Sequence, residues 1–151
     1  MNMNAQVSTE QSKSTLIGRL ADRLIAGQYQ MAVKSLQLEA PDALEHIIAQ
    51  ADPALDSSVA AEIERLLKTG GAPFVRFDKT LMPQMQARLG VTEEQMDTME
   101  AKELVAMKKR CNSCSEAARC WQALRGGESA ERCREFCPNA GDFGHLANGA
   151  C

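Results

Sequence analysis

The placement of the cysteines constrains this chain most. Five of the six lie in one stretch, at Cys111, Cys114, Cys120, Cys133 and Cys137; the sixth is Cys151, and no cysteine precedes Cys111. A thiol-free body followed by clustered thiols predicts one soft-metal site toward the C-terminal end. The body itself reads as helical. Ala, Leu, Met, Glu, Gln and Lys dominate it, and these are helix formers. Runs of β-branched and aromatic residues of the strand type are nearly absent. The expected fold class is therefore all-α, a small helical bundle with a C-terminal cysteine-ligated metal site.

Charge adds a second asymmetry. The chain carries a formal −3, yet eight Lys or Arg face only four Glu between Lys102 and Arg134. A basic rim around thiolates suits either an anionic cluster or an acidic protein partner, and a plain solvated helix face explains it equally well. Lys108, Lys109 and Arg110 also close a predicted helix, where cations suit the dipole. Without interleaved aromatics they make a poor nucleic-acid surface. The polar start and the charges at Arg19, Asp22 and Arg23 argue against a leader or a membrane insertion. A cytoplasmic location follows as the expectation. There, clustered thiols serve as metal ligands or redox groups more often than as structural disulfides.

Residues 1–13 read as a disordered polar tail. A first helix is expected from Ser14 or Thr15, with Ile17, Leu20, Leu24 and Met31 as its apolar stripe, a weak point at Gly27, and an end before Pro41. Pro41-Asp42 should start a second helix that buries Leu44, Ile47 and Ile48, with His46 outward. Ser57 or Ser58 is the expected cap of a third, carrying Val59, Ile63, Leu66 and Leu67 and stopped by Gly70-Gly71. Ala72 to Asp78 reads as an extended connector. A helix from Lys79 to Leu89 should turn Met82, Met85 and Leu89 inward, as adaptable core rather than copper ligands. Thr92-Glu93-Glu94-Gln95 has a capping-box pattern. It should open one helix running to Arg110, with Met96, Met99, Leu104 and Met107 leading to Cys111.

Ser113-Cys114-Ser115-Glu116 repeats the capping-box pattern and predicts a helix with Ala117, Cys120, Trp121 and Leu124 on one face. Gly126-Gly127 ends it. Ser129 caps a short helix bearing Cys133 and Phe136. Pro138 suits the first turn of a last helix packed by Phe143 and Leu146.

The resulting spacing is Cys-x2-Cys-x5-Cys, then Cys-x3-Cys-Pro. Four thiolates satisfy a tetrahedral metal or an iron–sulfur cluster. Cys-Pro favours the cluster, whereas structural zinc more often uses paired Cys-x2-Cys knuckles or histidines. The expected ligands are Cys111, Cys114, Cys120 and Cys137. Cys133, one turn before Cys137, is the alternative ligand; His145 reads as a surface residue and Cys151 as free.

The string R-C-x2-C-x5-C-W-x-A-L, followed by E-F-C-P-N-A and Phe143, resembles a small bacterial family classed as domain of unknown function 6455. The resemblance runs from about Leu81 to Leu146. It implies the same four cysteines, makes Cys133 and Cys151 additions, and makes the helices before Pro73 an extension. The chain then divides into a 1–13 tail, a 14–72 helical extension and a 73–151 cysteine-cluster domain.

The leading functional expectation is a 4Fe–4S protein that transfers electrons or serves as an accessory subunit, partnered by a larger redox enzyme or an electron carrier. A 2Fe–2S centre fits the four thiolates less well. The alternative is a structural Zn2+ module in an interaction or regulatory protein. A metal-free thiol protein using Cys111 and Cys114 as a redox pair ranks third, because the βαβ context of thioredoxin-like folds is missing. No nucleophile–base–acid pattern suggests an enzyme.

Overall fold

The computed structural model of the chain describes residues 4–69 and 75–149, with side chains described from Gly18 onward. Among the described residues the chain forms ten helices and no strand. They are α1 (Asn4–Glu39), α2 (Pro41–Gln50), α3 (Ser57–Lys68), α4 (Phe77–Thr80), α5 (Met82–Arg88), α6 (Glu93–Asp97), α7 (Ala101–Asn112), α8 (Ala117–Arg125), α9 (Ala130–Arg134) and α10 (Ala140–Ala147). None is long and apolar enough to cross a membrane.

The first helix departs most from the sequence pattern. It starts at Asn4, well before Ser14, and runs through Gly27 without a break. Its end at Glu39, just ahead of Pro41, is where the proline should put it. Only its C-terminal part packs. Val33 is buried and Leu36 half-buried against α2 and α3, while Leu20, Leu24 and Met31, the predicted buried stripe, stand exposed. Helix α2 begins at Pro41 as expected and buries Leu44 and Ile48; Ile47 is half-buried and His46 exposed, its ring 3.0 Å from Gln50. The cap of α3 is Asp56 rather than a serine. Its carboxylate accepts from the Ser58 and Val59 amides, and a charged acceptor outcompetes a hydroxyl at a helix N-terminus. The stop at Gly70-Gly71 and the connector up to Phe74 lie outside the described residues.

From Val75 the chain breaks its helices more often than periodicity suggested. Phe77 and Asp78, expected in an extended connector, already form α4. The anticipated Lys79–Leu89 helix is split at Leu81, where Pro83 removes a backbone donor from the first turn of α5. Met82, Met85 and Leu89 do turn inward, and Gly90 closes the segment with φ +79°. The Thr92 capping box forms with both reciprocal bonds. The single long helix after it does not: α6 stops at Asp97, and Thr98–Glu100 reset the axis before α7. Hydrophobic period alone cannot register such a kink, because Met96 and Met107 remain in one core on either side of it.

Trp121 joins the two halves. It is wholly buried on α8, and its indole N–H donates to the Ile48 carbonyl at the end of α2 over 3.0 Å. Arg125, one turn on, lies 4.6 Å from the indole centroid and donates to the Asp52 carbonyl. Helix α3 packs on α8, α2 on α4, and α4 on both α5 and α7. This continuous core holds the segments that carry the cysteines.

Candidate metal centre

Four separate elements deliver the four expected cysteines. Cys111 lies in the last turn of α7, Cys114 in the turn that follows, Cys120 on the inner side of α8, and Cys137 between α9 and α10. All four line one cavity, walled by Phe77, Met82, Met85, Phe136 and Phe143 and by the ring of Pro138. The predicted capping box at Ser113 is not what starts α8. Ser113 instead donates back to the Lys109 carbonyl, and the Glu116 amide donates to the Cys114 sulfur at 3.3 Å. The sulfur has taken the acceptor role assigned to the hydroxyl. Helix α10 likewise starts at Ala140, with Pro138 in the turn ahead of it.

Cys133 lies elsewhere. Its side chain is fully buried in the core and does not line the cavity, although it is near enough to Cys120 and Cys137 to disfavour their ionisation. His145 is exposed and outside the cavity. Cys151 lies outside the described residues, and the five cysteines within them are unbridged.

Electrostatics set the resting state of the thiols. Burial, followed by the neighbouring Cys114, Cys137 and Asp78, pushes the Cys111 thiol up to about 12. Burial and the surrounding cysteines push Cys120 up as well. Burial also raises Cys137, opposed by a hydrogen bond from the Asn139 backbone. Cys111, Cys120 and Cys137 are therefore held toward the neutral thiol. A bound cation reverses that balance by supplying the positive charge the cavity lacks.

Asn139 is the polar side chain on the cavity wall that the sequence did not reveal. It is 1% exposed; its Nδ2 donates to the Met107 carbonyl at 3.0 Å, while its Oδ1 has no partner. Asp78, behind Cys111, is held by Arg76 at 2.8 Å, and its amide donates to the Asn112 side chain. Burial raises its carboxyl, but the bonds to Arg76 and Asn112 outweigh that and keep it below its usual range. The basic rim is partly neutralised within the chain. Arg110 pairs with Asp142 at 2.7 Å, and Arg119 sits 4.5 Å above the Phe136 ring, within 3.9 Å of Glu116 and Glu135.

The thiols converge without closing on a point. Among the described residues no group of three or more His, Cys, Asp or Glu is arranged to hold a metal ion. The donor chemistry still fits a thiolate-bound group: four cysteines, two of them taking backbone N–H bonds, and an apolar wall.

Fold and site together define a small all-α protein with four cysteines gathered in an apolar cavity. Residues 74–149 match a family described as a family of unknown function, DUF6455, and the chain belongs to that family. The match extends beyond the Leu81–Leu146 stretch that carries the motif. No curated protein and no solved structure matches the chain.

Proposed function

We propose that Cys111, Cys114, Cys120 and Cys137 hold a 4Fe–4S cluster, and that the protein passes single electrons to and from a larger redox enzyme or carrier in a reducing cytosol. The observation that carries this reading is that four cysteines from separate elements line one cavity with an apolar wall, Pro138 beside Cys137 among its lining. Four thiolates and a Cys-Pro ligand suit an iron–sulfur cluster, whereas structural zinc more often uses paired Cys-x2-Cys knuckles or histidines. When bound, the cluster would supply one-electron exchange.

The remaining work falls to the chain. Phe77, Met82, Met85 and Phe143 exclude water and so lower the local dielectric. The Glu116 amide and the Asn139 backbone bond sulfurs and favour the more reduced, more negative state, which raises the potential. Cys114, Phe136 and Pro138 line the inner cavity and also an open surface depression with Arg110, Ser113 and Ser115. Electrons would cross at that shared wall, with an acidic partner docked beside Lys109.

Iron, zinc and acid-labile sulfide should be measured with a visible spectrum on protein purified without oxygen. The expected result is about four irons and four sulfides per chain, with a broad brown absorbance that bleaches on reduction. Ser in place of Cys111, Cys114, Cys120 or Cys137 should each lower the iron content. One zinc in a colourless protein would overturn the cluster and make the site a structural module. Full metal retention in Cys120→Ser would overturn the ligand set.

A further inference from the structure

Helix α1 carries two opposite faces. Val33 and Leu36 meet the body, whereas Leu20 (57% exposed), Leu24 (71%), Met31 (73%) and Leu38 (63%) lie along the far side. Leu24, Met31 and Leu38 are spaced seven residues apart, and Leu20 falls four before Leu24. That is the seam of a paired helix, since a seven-residue apolar repeat keeps one stripe facing a partner helix. Among the described residues the only other large exposed apolar side chain away from α1 is Val105.

Gly27 lies on the same seam, between Leu24 and Met31. A glycine inside a helix costs about 1 kcal/mol relative to alanine, and nothing in this chain requires it. A Cβ there would meet no atom within 4 Å, and its φ is not positive. A residue without a side chain at this place on the stripe leaves room for the close approach of another helix.

We infer that α1 pairs with α1 of a second copy of this chain, in antiparallel orientation, about a two-fold axis near Gly27 and Met31. A two-fold interface demands that one surface supply both knob and hole. Here each Met31 lies over the other copy's Gly27, with Leu20 and Leu38 toward the two ends. The stripe from Leu20 to Leu38 is about 27 Å long. Two such helices bury on the order of 1,000 Å² together, which just reaches the size a specific interface needs and makes this a weak, concentration-dependent pair. Both bodies stay outside the pair, because the seam is opposite the face that packs on α2 and α3.

The test is sedimentation equilibrium of the full chain from micromolar to millimolar concentration. Wild type should reach twice the 16.4 kDa chain mass. Lys34 falls opposite Leu24 of the other copy in this register, so Leu24→Lys sets two like charges together. Leu24→Lys and Met31→Glu should each stay monomeric with unchanged helix content, because both side chains are exposed in the single copy. Val105→Glu should dimerise like wild type. A wild-type monomer throughout, a dimer that survives Leu24→Lys and Met31→Glu, or loss of the dimer in Val105→Glu would each overturn the inference. Mixing the full chain spin-labelled near Leu20 with the full chain labelled near Leu38 separates the orientations. Close contact between unlike labels is expected, and contact only between like labels refutes the antiparallel pair.

Discussion

Replacing Trp121 with Phe tests how the helices before Val75 are tied to the family segment. The indole N–H to Ile48 O bond is 3.0 Å long and fully buried. Phe removes the donor. The Ile48 carbonyl then keeps the Ala51 backbone amide at 3.2 Å and the Gln84 side-chain amide at 3.4 Å, so it is weakened rather than orphaned. That loss is worth about 1 kcal/mol. The smaller ring also leaves unfilled volume in a core where Leu44, Ile48 and Ile63 are fully buried, adding about 1–2 kcal/mol. The stacked Arg125 guanidinium, 4.6 Å above the ring, loses the better of its aromatic faces, for about 0.5 kcal/mol. The sum is about 2.5–3.5 kcal/mol. Urea unfolding followed by far-UV circular dichroism reads it directly; Trp121 is the single tryptophan, so fluorescence cannot follow the variant. Cysteine-bound metal content should not change. A loss below about 0.5 kcal/mol, the range of ordinary surface substitutions, would refute the view that this bond clamps α2 onto α8.

Other outcomes follow from the same structure. Cys133→Ser places a hydroxyl in a fully buried apolar position and should cost about 1–3 kcal/mol by urea titration, while metal analysis finds wild-type content. Thr92→Ala removes the capping acceptor of the Gln95 amide and should cost about 1 kcal/mol in thermal melts. The metal-free protein should lose stability in alkali. The folded state holds the Cys111 proton up to about 12 against an ordinary value of 9.0, so the unfolded chain ionises first and stability falls between those values. A flat melting temperature across that window, in metal-free wild type set against Cys111→Ala, would contradict the burial of this thiol.

Much of the site was legible because ligand chemistry is local. Cys-x2-Cys and Cys-Pro name their residues without any fold, and the four cysteines chosen from spacing are the ones that line a common cavity. The wall around them was not legible. Phe77 and Met85 come from helices far along the chain, and no pattern in the sequence sets the Asn139 amide against the Met107 carbonyl. Two serine caps also went to other groups, Asp56 at α3 and the Cys114 sulfur before α8. Sequence patterns show which groups can cap, and geometry decides which one arrives.

By itself the sequence determined the helical class, the inward Met82, Met85 and Leu89, the cap at Thr92 and the grouping of thiols. Each of these depends on residues within a turn or two of one another. The tertiary structure decided where long helices break, that Cys133 belongs to the core, and that Leu20, Leu24 and Met31 face away from the body. A 3.6-residue period reports that a helix has an apolar side, but not what that side meets. On α1 the core chose Val33 and Leu36, because these are the residues that reach α2 and α3 after the turn at Ala40.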